Sequence, residues 1–408
     1  MDPTKQHCRQ ARVEPPVCGR FGAYRDAILL AVAFAATLVG CASGTGHSAS
    51  GRANAVAVSS DGRYAISSHG DNRLVLWNIA ERKHRIISTR ANIYSAYWVD
   101  GREAFLWQTL DDLIRVQSAD GRVIKAFQGP PAYSHAIGHD FKTYVSTDSG
   151  WRIWLKKNDN DIDKIKAGDD GAFFGLGKPL NVRLTPNEDR ALVSGFGAYF
   201  HRDGLDIEAQ AKKGYERYDG VAYWNLATRK PIYNLAGNRA KTHATISPDG
   251  EYVVGVDENT QHHVWKTSTG EDAYKVSSVT YGIFYETEEG IGEYDDSGVR
   301  VDFPDDFNAG NNQSYVAVQF LDDKHYAAFH NRENYASLWK LGDPFALKFL
   351  DLGTDPFPST ARYVRNQAID SAPESGTLVT GQRGGDGINV YRWDPDELTL
   401  EKVWAPRP

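Results

Sequence analysis

The stretch AVAVSSDGRYAISSHGDNRLVLWNIAERKHRII, residues 55–87, decides the fold because a closely similar stretch follows later in the chain. Residues 244–276 read ATISPDGEYVVGVDENTQHHVWKTSTGEDAYKV. Each stretch begins with an apolar segment, a Ser-x-Asp-Gly turn and an alternating segment. A polar turn, a segment that ends near Trp, and a last alternating segment follow. A repeat of this kind predicts one supersecondary unit that is stacked several times.

Each unit contains four short segments in which apolar and polar residues alternate, separated by tight turns. That pattern is typical of β-strands that are joined by hairpins. The Asp-Gly pair favours a turn because glycine adopts positive φ at little cost. The sequence therefore predicts a four-stranded antiparallel sheet for each unit.

The pattern resembles the WD-repeat family of β-propellers, in which each blade is a four-stranded sheet of about 40–45 residues. Seven units begin near residues 53, 91, 131, 176, 241, 312 and 360. Val116 stands at the tryptophan position in the second unit, and a tryptophan marks the third strand of the other units: Trp77, Trp154, Trp224, Trp265, Trp339 and Trp393. The last of these fits with a small slip in register. The resemblance implies an all-β protein, a propeller of seven four-stranded blades.

The tryptophans have a structural role in this interpretation, because a large flat side chain fills the wedge between neighbouring blades. Polar residues precede them at the turn between strands two and three: Asp71, Asp148, Asn259 and Glu333. In the family such a residue caps the turn, so we expect these side chains to be structural. The family's Gly-His pair before strand one is absent, and Gly138-His139 lies at a strand 1–2 turn instead.

The C-terminal stretch LTLEKVW, residues 398–404, resembles a fourth strand for the seventh blade. The first blade already has its own first strand. We therefore expect a ring that is not closed by strand exchange. Residues 42–52, ASGTGHSASGR, would then form a flexible tether with a root-mean-square span of about 17–20 Å.

The N-terminal region contains one apolar stretch, Ala27–Gly40, which follows Arg20 and Arg25. Its 14 residues suit a signal-peptide core better than a spanning helix, which needs about 20. Leu38-Val39-Gly40-Cys41 resembles the lipobox of bacterial lipoproteins. The resemblance implies cleavage before Cys41, a diacylglycerol on its thiol and acylation of its amine. An ordinary signal peptide that ends near a cysteine is the alternative.

The predicted organisation is thus a signal peptide over 1–40, a lipidated tether over 41–52 and a propeller over 53–408. The tether's second residue, Ala42, is not the aspartate that favours inner-membrane retention in the family. We therefore expect an anchor in the bacterial outer membrane, facing the periplasm. The only other cysteines, Cys8 and Cys18, precede the predicted cleavage site, so the body contains neither a disulfide nor a free thiol.

The composition narrows the possible functions. A formal net charge of −7 argues against non-specific nucleic-acid binding, which needs a basic face. No Gly-x-Ser-x-Gly elbow or cofactor motif occurs, and His201, His243, His262 and His263 lack a metal-ligand spacing such as His-x-x-x-His. STDSGWRIW, residues 146–154, approaches the Asp-box of sialidases, but its tryptophan is one residue late. We therefore expect no enzyme activity, no cofactor and no metal.

Two insertions interrupt the repeats, at 197–220 within the fourth blade and at 277–311 between the fifth and sixth blades. In the family both loop types emerge on one face of the propeller, and the shorter link 167–180 joins them there. The second insertion carries nine acidic residues with interleaved aromatic residues. This combination suits a protein interface. The alternatives are solvated decoration or a cation site.

The sequence therefore predicts a non-enzymatic, lipid-anchored envelope scaffold that binds a protein partner through the face with the insertions. The alternative is a glycan-processing or glycan-binding protein that uses the central pocket. The candidate partner-binding residues are Phe173, Phe174, Tyr199, Phe200, Tyr281, Phe284, Tyr285, Glu288, Glu289, Tyr294, Asp295, Asp296, Phe303 and Phe307.

Overall fold

A computed structural model defines the architecture of the chain. It describes residues 51–94, 96–148, 153–157, 163–165, 178–196, 220–235, 242–257, 262–274, 276, 283–287, 290–294, 300–302, 315–330, 335–353, 368–382 and 385–408. These residues form an all-β propeller with seven four-stranded antiparallel blades in a ring. The predicted fold class and blade number are thus confirmed.

Every blade is built from four consecutive strands, with the first strand at the ring axis and the fourth at the rim. Blade 1 contains β1 (Ala53–Val58), β2 (Tyr64–His69), β3 (Leu74–Asn78) and β4 (Lys83–Ser88). Blade 2 contains β5 (Tyr97–Trp98), β6 (Ala104–Gln108), β7 (Leu113–Ser118) and β8 (Val123–Gln128). Blade 3 contains β9 (Ala132–Ile137), β10 (Thr143–Asp148), β11 (Ile153–Lys157) and β12 (Asp163–Ile165).

The second half of the ring repeats this order. Blade 4 contains β13 (Lys178–Leu184), β14 (Arg190–Phe196), β15 (Val221–Asn225) and β16 (Lys230–Asn234). Blade 5 contains β17 (Thr242–Ile246), β18 (Tyr252–Asp257), β19 (His262–Lys266) and β20 (Asp272–Tyr274). After an accessory sheet of β21 (Ile283–Thr287), β22 (Gly290–Tyr294) and β23 (Arg300–Asp302), blade 6 contains β24 (Tyr315–Phe320), β25 (His325–His330), β26 (Tyr335–Lys340) and β27 (Ala346–Asp351). Blade 7 contains β28 (Ile369–Ala372), β29 (Thr377–Gly381), β30 (Ile388–Asp394) and β31 (Thr399–Trp404), with a 3-10 turn at Pro373–Ser375.

The Ser-x-Asp-Gly sequence builds the strand 1–2 turn as predicted. In blade 1, the Asp61 carboxylate accepts hydrogen bonds from the Ser59 hydroxyl at 2.7 Å and from the Arg63 backbone N–H at 3.0 Å. Gly62 has φ +68°, in the left-handed region that disfavours other residues. The side chain therefore fixes the turn locally, and the turn sets the register of the hairpin.

The register shows which residues share the tryptophan position of the third strand. Trp77 pairs with the second residue of β2, and Trp224, Trp265 and Trp339 occupy the same place in their blades. Gln117, Lys156 and Tyr391 fill it in blades 2, 3 and 7.

Three of the predicted residues do not occupy this position in the structure. Trp154 lies two residues before the blade position and Trp393 two residues after it, and Val116 is one residue too early. Trp154 instead donates its indole N–H to Asp148 at 2.7 Å, and Trp393 donates to Asp322 of blade 6 at 2.6 Å. Hydrogen bonding at a strand end, rather than the common wedge position, explains why tryptophan stands at these two places.

Blade-to-blade packing forms the core. Trp77, Trp224 and Trp339 are fully buried, and Trp265 is nearly so. Trp339 packs edge-on against His262 of blade 5, with ring centroids 4.4 Å apart. These contacts agree with the predicted structural role of the four tryptophans at the common position.

The ring closes between blades 1 and 7 without a shared strand, as β28–β31 and β1–β4 each form a complete sheet. Apolar side chains of both blades form one cluster at this seam. Trp404 of β31 meets Trp77 edge-on, with centroids 6.2 Å apart. Arg73 forms an ion pair with Asp386 of blade 7 at 3.2 Å. Side-chain packing, rather than strand exchange, therefore holds the seam.

The accessory sheet within the second insertion was not predicted from the sequence. Its strand order is β21-β22-β23, and it is antiparallel throughout. The backbone of β23 lies close to β27, the outer strand of blade 6. β23 is thus placed at the rim of the ring. In the described part of the chain, no helix is long and apolar enough to span a membrane.

Candidate functional site

The first strands of all seven blades surround a central cavity of about 340 Å³. The cavity reaches the strand 1–2 turns, since Ser60, Asp100, Glu188 and Glu374 of four such turns contribute to its lining. Both insertions leave their blades at the other ends of the strands, after β14 and after β20. The cavity therefore opens on the face opposite to the one where the insertions begin.

One layer of this cavity is built from the same repeat position in every blade. On the first strand of each blade, this position is the residue that pairs with the third residue of the second strand. In blade 1 it is Ala57. Blade 3 also has alanine there, and the other five blades carry larger or polar side chains: Tyr97, Arg183, Thr245, Gln319 and Asp370. The ring thus brings five functional groups from distant parts of the sequence to one level of the channel.

Arg183 connects opposite sides of the ring. Its Nη2 donates to Asp370 Oδ1 at 3.1 Å and to Gln319 Oε1 at 3.2 Å. Blades 4 and 7 are as far apart as two blades of a seven-membered ring can be, so the guanidinium reaches across the channel. Asp370 Oδ2 also accepts the backbone N–H of Val58 in blade 1 at 3.0 Å. This carboxylate therefore links three blades.

Two carboxyl groups of the cavity have a pKa above the usual value for aspartate. Burial raises the pKa of Asp370, although the Arg183 guanidinium opposes this shift. Asp100 reaches the cavity from a turn of blade 2. Its partial loss of hydration, together with the negative charge of Asp370, raises its pKa to about 6. Asp100 is solvent-accessible, but the protein surrounds it on several sides, and this explains the loss of hydration.

Side chains of one blade satisfy the open backbone edge of the next blade around the channel. Ser134 accepts the backbone N–H of Val182 at 3.2 Å, and His243 Nδ1 accepts that of Val318 at 3.1 Å. Gln319 donates its amide to the carbonyl of Ile369 at 3.0 Å. An unpaired strand edge at the axis would otherwise leave buried polar groups unsatisfied.

Two polar side chains of the cavity lack this kind of partner among the described residues. Neither ring nitrogen of His135 has a hydrogen-bond partner, and neither does Asn181 Nδ2. His135 is 2% exposed and Asn181 is 8% exposed. Burial lowers the pKa of His135 to about 3, so the imidazole is neutral at pH 7. These groups are able to form hydrogen bonds with a molecule bound in the cavity.

The residues predicted as partner-binding lie mostly outside the described part of the chain. Phe284 and Tyr285 fall on β21, and Tyr294 falls on β22, where it pairs with Ile283. The others lie outside the described residues, as does Cys41: Phe173, Phe174, Tyr199, Phe200, Tyr281, Glu288, Glu289, Asp295, Asp296, Phe303 and Phe307. The structure thus brings three of the candidates into one small sheet.

The channel residues Arg183, Asp370 and Asp100 were not predicted from the sequence. A comparison of the units position by position would have found the first two, because charged residues stand where two other units have alanine. No group of three or more His, Cys, Asp or Glu side chains in the described ranges is arranged to hold a metal ion. No family model matches this sequence, and no curated protein matches it significantly.

Proposed function

We propose that the chain is a lipid-anchored, non-enzymatic binding protein of a bacterial cell envelope. In this proposal Cys41 carries the lipid, the following residues form the tether, and the propeller presents a surface to an envelope protein. A β-propeller suits this role because its packed ring is a rigid platform for loops and inserted elements.

The observation that carries the proposal is the accessory sheet β21–β23 between blades 5 and 6. An insertion that forms a sheet of its own offers strand edges, and an extended peptide can add to such an edge through backbone hydrogen bonds. The order β21-β22-β23 makes β21 and β23 the edge strands. β23 lies close to blade 6. We therefore assign β21, with its sequence Ile-Phe-Tyr-Glu-Thr, as the docking edge.

The partner proposal is tested by deletion of residues 281–307 and their replacement with a short Gly/Ser linker. Crosslinking in intact cells, followed by purification from membranes, should recover a stoichiometric protein with the wild-type chain and lose it with the deletion. Glu103→Gln, at the opposite face and outside the cavity lining, is the control and should retain the partner. The proposal fails if wild type recovers no partner, or if the deletion recovers it equally well.

The lipid anchor is tested separately by Cys41→Ser. The variant should leave the propeller folded, as judged by circular dichroism, and move the protein from the membrane to the soluble fraction. A soluble wild-type protein with a free amine at residue 42 or beyond would contradict the anchor.

A second function, glycan binding or processing, is favoured by one observation, the central cavity itself. It combines a volume of about 340 Å³ with polar groups and the aromatic residues Tyr94 and Tyr97. Glycan-array binding or glycosidase activity of the purified protein, without a stoichiometric protein partner, would favour this alternative.

A further inference from the structure

The central cavity carries more negative than positive charge. Four carboxyl residues contribute to its lining, Asp100, Glu188, Asp370 and Glu374, against the single guanidinium of Arg183. Asp370 already pairs with Arg183, and Glu188 accepts the Nδ1–H of His139 at 2.9 Å. Within the described residues, neither Asp100 nor Glu374 has an ion-pair partner. The cavity mouth therefore presents two carboxyl groups without an ion-pair partner, which lie close enough for the charge of Glu374 to raise the pKa of Asp100.

The orphaned polar groups give a second and independent sign of a ligand. A buried polar group without a hydrogen bond is less favourable than a satisfied one, because it has lost its contacts with water. His135 and Asn181 both line the cavity, and each has unsatisfied nitrogen atoms among the described residues. The neutral imidazole of His135 offers one lone pair and one N–H. A molecule that enters the cavity can satisfy these groups.

Tyr97 adds an aromatic ring to the same layer of the channel as Arg183 and Asp370. An aromatic face attracts a cation, and the attraction increases when water is excluded. The volume of about 340 Å³ falls within the range of small-ligand sites. Carboxylates, a ring and unsatisfied hydrogen-bonding groups therefore converge in one enclosed space.

We propose that this cavity binds an organic cation, an ammonium or guanidinium group that enters from the strand 1–2 face. The group pairs with Asp100 and Glu374, and its remaining atoms reach towards His135 and Asn181. The cation is carried either by a free polyamine or by a basic side chain of a peptide. This proposal does not depend on the lipid anchor or on the partner of the accessory sheet.

Isothermal titration calorimetry at pH 7.5 and low salt tests the proposal, with spermidine and an acetylated trilysine peptide as separate probes. At least one probe should bind. Asp100→Asn should weaken that binding about ten-fold, because a charge-assisted contact in a partly enclosed site contributes on the order of 1.4 kcal/mol or more. Binding of spermidine alone identifies a small-molecule site, and binding of the peptide alone identifies a basic-peptide site.

Glu103→Gln is the matched control, since it removes the same charge three residues from Asp100. Glu103 is 61% exposed and pairs with Arg63, outside the cavity lining. This variant should bind within two-fold of wild type. The proposal is overturned if neither probe binds, or if Asp100→Asn and Glu103→Gln weaken binding equally. Binding of a neutral oligosaccharide in the same assay, with no effect of either cation, would also overturn it.

The pH dependence gives a further readout. At pH 5 about nine-tenths of Asp100 is protonated, given its pKa of about 6. Asp370, Glu188 and Glu374 face the same cavity with Arg183, and Asp370 also has a raised pKa. Binding should therefore be several-fold weaker at pH 5 than at pH 7.5. In Asp100→Asn most of this difference should disappear, and a difference that persists in full would contradict the role of Asp100.

Discussion

Replacement of Arg183 by Met should destabilise the propeller in a pH-dependent manner. The substitution keeps much of the side-chain volume but removes the hydrogen bonds to Asp370 and Gln319 across the channel. The Asp370 side chain is only 16% exposed, so its carboxylate is then buried without a counter-charge. The ionised form of this carboxyl becomes unfavourable in the folded state.

The magnitude follows from the burial of the pair. Breaking a fully buried ion pair costs about 3–5 kcal/mol. The Arg183 side chain is 33% exposed, so solvent screening reduces the cost to about 2 kcal/mol at pH 8. Burial already raises the pKa of Asp370 in the wild type, and loss of Arg183 raises it further. A raised carboxyl pKa means that the native state binds more protons than the unfolded state. Stability therefore falls as the pH rises through the pKa of the folded state.

Urea denaturation at pH 5 and pH 8, followed by tryptophan fluorescence, measures the free energy of unfolding. Arg183→Met should lose clearly more stability at pH 8 than at pH 5. The double variant Arg183→Met/Asp370→Asn should recover most of the loss, because it removes the buried charge as well. Equal losses at both pH values, or no recovery in the double variant, would refute the reasoning.

Three further predictions concern stability and use the same denaturation assay. Trp339→Ala should lower the free energy of unfolding by about 3–5 kcal/mol, because this fully buried ring packs between blades 5 and 6. A loss below 1 kcal/mol would contradict the role of this ring in the wedge between blades. Trp404→Ala should lower the free energy of unfolding by about 1–2 kcal/mol through loss of its edge-on contact with Trp77, and no loss would show that the seam does not need this contact. Asp100→Asn should raise stability at pH 7.5 by about 1 kcal/mol, after a discount for its solvent access, and leave it unchanged below pH 4. A loss of stability at pH 7.5 would contradict the raised pKa.

The sequence predicts the fold because the information is local. The Asp61 carboxylate fixes its own turn, and the alternation of residues 64–69 places one set of side chains on each face of the sheet. The pattern of four short strands recurs along the chain with different turn residues, so seven blades and the absence of strand exchange could be predicted without three-dimensional contacts.

The tryptophan positions show that residue type alone does not identify the wedge position. Blade 3 has Trp154 near the expected place, yet Lys156 occupies the wedge register and places its ammonium 5.7 Å from the Phe127 ring. The strand 2–3 connection has four residues in both blade 1 and blade 3, and Lys156, like Trp77, is the fourth residue of its third strand. The position within the repeat therefore identifies Lys156, whereas the match to a tryptophan does not.

The contacts between the cavity residues could not be predicted, for a different physical reason. Arg183, Gln319 and Asp370 are separated by up to 187 residues and meet only after all seven blades have closed around the axis. Each of them is an ordinary polar residue in its own repeat. The raised pKa of Asp370 and its ion pair with Arg183 arise from the closed ring and not from any local motif.

Because side-chain contacts hold the seam between blades 1 and 7, the order of the blades along the chain can change without loss of a strand. Gly51 lies against Asp386, and the carbonyl of Pro406 accepts a hydrogen bond from Gln382 at 3.2 Å. Both ends of the ring therefore approach the same connection of blade 7, between β29 and β30. No blade is distinguished as the one that must close the circle. A circular permutant that starts at blade 4 retains all seven sheets, and the gain of a blade by duplication requires no new closing strand.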